Sequence, residues 1–458
     1  MSGFDAIIIG TGQAGPFLAW RLAAAGMKVA IAERKRFGGT CINNGCTPTK
    51  TLVASAYAAH MARRAAEFGV TIEGAVGVDM KRVKARKDAI VTEFSEGVRK
   101  GLEETETITV FAGHARFLSS HEVAVGETRL SAPHVFINVG GRATVPPIPG
   151  IDTVPFLDNS SMMDVDFVPP HLIIVGGSYI GLEFGQMYRR FGSRVTIVEM
   201  APRLIQNEDE DISTAVRDIL AAEGIDIRTG AKCISVEKRG ADIAMKVDCT
   251  AGAPEVVGSH LLLAVGRKPN TDDLGLDAAG VARDERGFIT GDDELKTNVP
   301  GIWALGDCNG RGAFTHTSYN DFEIVAANLL DDGSRRVSDR ITTYALYIDP
   351  PLGRAGMTVA QAKKAGKRVL VGARPMTRVA RAIEKGDTQG LMKIVVDADS
   401  KAILGAAILG PGGDEAVQGT LDVMYAKAPY TVLQQAMHIH PTVSELVPTI
   451  LGELKPVD

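Results

Sequence analysis

The sequence is poor in the features that mark secreted, membrane-bound or nucleic-acid-binding chains. Five cysteines among 458 residues are too few for a disulfide framework. No apolar run approaches the ~20 residues that span a bilayer. The N-terminus has no basic n-region and reaches the apolar stretch Ala6–Ile9 through Asp5, so no secretory signal is expected. Neither charge sign dominates: a formal net charge of −5 gives no field for a nucleic acid or an acidic membrane. No low-complexity segment is present. These absences predict a cytoplasmic protein in a reducing compartment, where a close pair of cysteines is catalytic rather than structural.

Glycine is abundant, with 50 residues, many of them in short clusters that read as turns. The length predicts about three domains at roughly 150 residues each. Residues 4–9 read as a buried parallel strand, and Gly10-Thr11-Gly12-Gln13-Ala14-Gly15 turns the chain into a helix. A second strand over 28–32 ends at Glu33. Strand, glycine turn, helix and a later acidic residue are the context that a dinucleotide fingerprint requires. Gly10 makes the tight turn, Gly12 admits a pyrophosphate, Gly15 lets helix and strand pack, and Glu33 accepts from a ribose.

The pattern recurs at Leu172–Val175, Gly176-Gly177-Ser178-Tyr179-Ile180-Gly181, a helix to about Phe191, strand Arg194–Val198 and Glu199. Ser178 replaces the middle glycine and tightens the backbone approach. A carboxylate at Glu199 accepts from a 2′-hydroxyl and repels a 2′-phosphate, which favours NADH over NADPH, with Arg203 placed to soften the preference. A charged helix is expected over 79–104. Proline and glycine at 140–150, and again at 264–270, mark crossings between domains. The stretch 301–307 is expected to be a strand–turn–helix in the first domain, and from about 340 the texture is α+β.

Cys41 and Cys46 are separated by four residues in Gly39-Thr40-Cys41-Ile42-Asn43-Asn44-Gly45-Cys46-Thr47-Pro48-Thr49-Lys50. In an unbroken helix their Cα atoms would be roughly 8.7 Å apart, beyond disulfide range. A bridge therefore needs a bend, and Asn44-Gly45 is the place for one. Cys46 is expected at the start of the next helix, where the dipole favours a thiolate, with Lys50 one turn later. A zinc half-site and two unrelated core cysteines are the alternatives, and no local His or Cys completes a metal site. Cys233, Cys249 and Cys308 read as small core or surface residues, and His316 as structural.

With these residues in view, the chain resembles the class I flavoprotein disulfide reductases along essentially its whole length. The likeness extends through Tyr179-Ile180-Gly181-Leu182-Glu183, Gly266-Arg267-Lys268-Pro269-Asn270, Gly306-Asp307 and His438-Ile439-His440-Pro441-Thr442-Val443-Ser444-Glu445. It implies an α/β fold with two Rossmann-type domains and a C-terminal α+β dimerisation domain. The expected divisions are 1–150 and 271–339 for FAD, 151–270 for NAD(P)H, and 340–458 for the interface.

The resemblance further implies that Cys46 is the flavin-proximal thiol and Cys41 the interchange thiol. Lys50 pairs with Glu183 beside the flavin, and Tyr179 covers the nicotinamide pocket. Gly10, Gly12, Gly15, Glu33, Gly39, Thr40, Lys50, Gly140 and Asp307 surround FAD. Gly176, Tyr179, Gly181, Glu199 and Gly266 surround NAD(P)H.

Thiol exchange needs an acid–base group, and histidine titrates in the right range. The resemblance assigns that part to His440 with Glu445, acting on the cysteines of the other subunit of a homodimer, and leaves His438 a packing residue. The implied acceptor is a small-molecule or protein disulfide. Dihydrolipoamide dehydrogenase, a metal-ion reductase and a redox sensor on the same fold remain alternatives. No cysteine follows Cys308 and no CxxC segment precedes the fingerprint, which disfavours mercuric reduction.

Overall fold

A computed structural model describes residues 2–232, 234–248 and 252–457. Cys233 and Cys249 lie outside the described residues. The apolar run Ala6–Ile9 forms the middle strand of a five-stranded parallel sheet, ordered Ile302–Ala304, His134–Ile137, Ala6–Ile9, Val29–Glu33, Ile108–Ala112. Both faces are covered. Ile7, Ala30 and Ile137 enter one core and Ile8, Ile31 and Phe136 the other, the period-two split of a strand buried on both sides.

The second unit repeats the plan with four parallel strands, ordered Asp226–Arg228, Arg194–Val198, His171–Val175, His260–Leu263. The Tyr179–Phe191 helix follows its glycine turn. Beyond residue 342 the chain builds a six-stranded antiparallel sheet whose neighbours include Leu352–Gly356, Ile403–Leu409 and Leu391–Asp397. The fold is thus α/β with two Rossmann-type units and an α+β C-terminal unit. Buried ion pairs tie the second unit to the C-terminal one: Arg354 Nε donates to Glu208 Oε1 at 2.9 Å, and Lys393 Nζ lies 2.9 Å from Asp209. Among the described residues no helix is long and apolar enough to cross a membrane.

Several local expectations shift. The charged helix is Met80–Glu103, begun by Asp79, whose side chain accepts from Arg82 N. The first strand is shorter than 4–9 because Phe4 N bonds Ser131 O in a neighbouring sheet. After Ile302–Ala304 the chain makes only a 3₁₀ turn, Gly306–Asn309, and the long helix starts later, at Thr315. Asp321 explains the delay: its carboxylate accepts from Gly306 N and Asn309 Nδ2 at 2.6 and 2.9 Å, holding the turn against the helix. His316 is accordingly the second residue of that helix.

Candidate active site

The two glycine turns open onto two cavities, of about 1270 and 490 Å³. At the first, Gly10 takes φ +102° and a Cβ there would strike the Asn138 carbonyl. A Cβ on Gly39 would come within 2.7 Å of Gly12 Cα, so the redox segment lies directly against the fingerprint. Glu33 is preset at the far end. Its Oε2 accepts from Thr11 N and Oγ1 at 3.0 and 2.7 Å, and its Oε1 from Lys35 N at 2.8 Å. Asp307 lines both cavities with Arg267 Nε 3.4 Å away, and burial pushes its carboxyl up. Gly140 and Thr40 also line the larger cavity. Asn43 Oδ1 and Asn44 Oδ1 beside it are buried without a partner. A dinucleotide bearing a large ring system fits this set: a glycine turn at a helix N-terminus for the pyrophosphate, a carboxylate for the ribose, and polar atoms along the wall.

The cysteines stand where the chain breaks between two helices, Gly39–Asn44 and Cys46–Arg64. Gly45 is the break, and a Cβ there would lie 2.8 Å from the Thr40 carbonyl. Both thiols are free. The neighbouring Cys41 thiol is the leading cause that lowers Cys46 to about 6. The Thr315 hydroxyl at 3.1 Å and the Lys50 ammonium assist, against burial and the Glu183 charge. Cys41 moves the opposite way, first because its proton is committed to Cys46, then through burial. One sulfur is thereby an anion near neutrality and the other a held proton.

Lys50 Nζ lies 2.8 Å from Glu183 Oε2, on a carboxylate that is almost fully buried. Tyr179, Ile180 and Asp307 line both cavities and form the wall between them. In the smaller cavity, Glu199 Oε2 accepts from Gly177 N at 2.5 Å and Oε1 from Ala201 N at 2.7 Å, the same presetting seen at Glu33. Gly176 and Gly266 line this cavity and Gly181 packs behind it: a Cβ on Gly176 would strike the Ala264 carbonyl, and one on Gly181 the Gly176 carbonyl. Arg203 is turned to the carbonyls of Gln206 and Glu208, 3.1 and 3.0 Å away.

His440 does not line the cysteine cavity of its own chain. It stands on the surface with 74% of its side chain exposed, and its Nδ1 lies 2.9 Å from Glu445 Oε2. Met437 and Ile439 beside it are 99% and 79% exposed. His438 is half-buried, with Nδ1 3.2 Å from the Ala436 carbonyl. Cys308 is fully buried, and burial pushes its thiol up to about 12. His316 stacks on Phe314 with ring centroids 5.3 Å apart, and its Nε2 bonds the Thr343 carbonyl. Reading the sequence missed Thr315 and Tyr347. Thr315 is the first helical residue, where Phe314 N donates to Thr317 Oγ1 at 3.1 Å, but Phe314-Thr315-His316-Thr317 carries no helix-start signature in the sequence. Tyr347 had no local signal either.

Comparison with known proteins agrees with this geometry. Residues 4–321 match the family described as pyridine nucleotide-disulphide oxidoreductase, and residues 342–450 match its dimerisation domain. The chain is 36% identical to the probable pyridine nucleotide-disulfide oxidoreductase RclA of Escherichia coli K12, over 99% of this chain and 100% of that one. It is 33% identical to the dihydrolipoyl dehydrogenase of Thermus scotoductus over 97% and 96% of the two chains. Identity to the mercuric reductase of Bacillus cereus is 31%, over 95% of this chain and 70% of that one. A solved structure of the Cu(II) complex of the HOCl-induced flavoprotein disulfide reductase RclA from Escherichia coli superposes with a TM-score of 0.90 at 35% identity, covering 99% and 100%. The chain belongs to the pyridine nucleotide-disulphide oxidoreductases, FAD-dependent enzymes that use NAD(P)H, and is a flavoprotein disulfide reductase carrying the family's dimerisation domain.

Proposed function

We propose that Cys41 and Cys46 deliver two electrons to an acceptor disulfide, and the observation that carries this reading is the pair of free thiols at one helix break, lining the larger cavity together with Lys50. FAD, when bound, would supply the two-electron chemistry that links NAD(P)H to the cysteine pair. Gly10, Gly12, Gly15, Glu33, Gly39, Thr40, Gly140 and Asp307 would hold FAD. Gly176, Tyr179, Gly181, Glu199 and Gly266 would hold the nicotinamide nucleotide, with Tyr179 covering the wall between the cavities. The Lys50–Glu183 pair keeps a cation beside Cys46.

Cys41 holds its proton, so its attack needs a base. His440 of the partner subunit, oriented by that subunit's Glu445, accepts this proton. The Cys41 sulfur attacks the acceptor, a mixed disulfide forms, and the leaving thiolate takes the proton back from the imidazolium. Cys46 then attacks the Cys41 sulfur. The Cys41–Cys46 disulfide closes and the second sulfur leaves as a thiolate, which takes its proton from solvent. The working unit is a homodimer in the cytoplasm, where thiols stay reduced.

NADH is the preferred nucleotide in this reading, because Glu199 faces the cavity while Arg203 is occupied by backbone carbonyls. The ratio of kcat/KM for NADH and NADPH tests it; a preference for NADPH overturns it. Turnover against lipoamide, glutathione disulfide, Cu(II) and Hg(II) identifies the acceptor. Anaerobic NADH titration tests the site: a long-wavelength band should form, and Cys46→Ser should abolish it. A band that survives in Cys46→Ser removes Cys46 from the flavin-proximal position.

A further inference from the structure

We propose that Tyr347 is a positioning residue for the Lys50–Glu183 pair, gripping the ammonium with its ring and the carboxylate with its main-chain N–H. The inference rests on reading that pair as part of the redox site. Lys50 Nζ lies 4.5 Å from the centroid of the Tyr347 ring, within cation–π range. Tyr347 N donates to Glu183 Oε1 at 3.0 Å, while Lys50 holds the other oxygen, Oε2, at 2.8 Å. Glu183 is only 2% exposed, so both of its oxygens need partners, and Tyr347 supplies one of them. Lys50 is one-third exposed, and the aromatic face limits its excursion toward solvent.

Tyr347 is itself fixed. Two residues on, Asp349 N donates to Gln186 Oε1 at 2.7 Å and Asp349 O accepts from Gln186 Nε2 at 2.8 Å. Arg190 Nη1 holds Asp349 Oδ2 at 2.7 Å. Glu183, Gln186 and Arg190 recur at helical spacing along one face of the Tyr179–Phe191 helix, so a single face holds the whole 347–349 segment. Three parts of the chain therefore meet at the pair: the helix carrying Cys46 and Lys50, the helix carrying Glu183, and the C-terminal unit through Tyr347. The groups facing Cys46 are Cys41, Thr315, Lys50, Glu183, Tyr179 and Tyr347. Of these only Lys50 is a cation, and its position is what Tyr347 controls.

The test is the pH dependence of iodoacetamide labelling of Cys46 in the dithiol-reduced, FAD-loaded enzyme, read by mass on the Cys46 peptide. Tyr347→Leu and Tyr347→Met remove the ring and keep the N–H; Tyr347→Phe keeps both. Lys50 lowers the Cys46 titration, so loosening it moves the midpoint upward. We expect a rise of roughly half to one unit in the Leu and Met variants, with the Phe variant at the wild-type midpoint. Unshifted midpoints in folded Leu or Met variants overturn the inference, as does an equal shift in Tyr347→Phe. Lys50→Met is run alongside. If it shifts the midpoint and Tyr347→Leu does not, only the role of Tyr347 falls; if neither shifts, the reading of the Lys50–Glu183 pair falls with it.

Discussion

Cys46 and His440 serve one exchange reaction in the proposed mechanism, yet their surroundings differ in every respect. Cys46 lies between two helices with a thiol, a hydroxyl and an ammonium all lowering its titration. His440 stands on the surface with Glu445 as its polar partner and two large apolar neighbours, Met437 and Ile439, open to solvent. The groups that tune the thiol end come from one chain, while among the described residues the His440 ring hydrogen-bonds only to Glu445. In the proposed mechanism this difference puts the subunit boundary between the two groups. Chemistry that must be tuned is built from contacts inside the fold, whereas chemistry donated across an interface is left on an exposed segment that carries its own orienting carboxylate.

The strongest way to break this comparison is a mixed dimer of a Cys46→Ser subunit and a His440→Ala subunit. Each parent homodimer should lose disulfide reduction, the His440→Ala enzyme by about 10²–10⁴-fold. The mixed dimer should recover one working site, because the intact cysteines of one subunit meet the intact His440 of the other. No recovery would mean that His440 serves its own chain. Glu445→Gln should cost no more than that, up to about 10⁴-fold, since the imidazole stays in place but an amide can hold it in the wrong tautomer.

The remaining predictions sharpen the Cys46 side. Its folded titration is depressed to about 6, so the reactive thiolate is present above that pH and is lost as the pH falls through it. Labelling at saturating reductant should drop about tenfold per unit below the midpoint. A midpoint near the ordinary thiol value would contradict the polarised pair. Cys41→Ala removes the leading cause and should move the midpoint up furthest. Thr315→Val should move it up by less, because the Thr315 hydroxyl contributes less than the Cys41 thiol. Equal shifts in the two variants would reverse their order of importance.

Much of this architecture was legible because its signals are local. Strand, glycine turn, helix and glutamate fall within a few dozen residues, and Glu33 and Glu199 both sit where the spacing predicts, each held by an N–H of its own turn. The helix break at Gly45 followed from disulfide geometry. The delayed helix start at Thr315 did not, because Asp321 acts on Gly306 from 15 residues further along the chain. Thr315 reaches Cys46 across 269 residues, and Tyr347 reaches Glu183 across 164, distances at which no periodicity or spacing carries information.

The sequence by itself determined the two nucleotide-binding turns, the position of the thiol pair at a helix start, and the His–Glu pair five residues apart. Each depends on backbone geometry over one or two turns. Tertiary structure alone decided the asymmetry of the thiols, the partners of Lys50 and the exposure of His440. A titration is set by whatever charges and donors converge in space, and those that converge on Cys46 come from four separate helices.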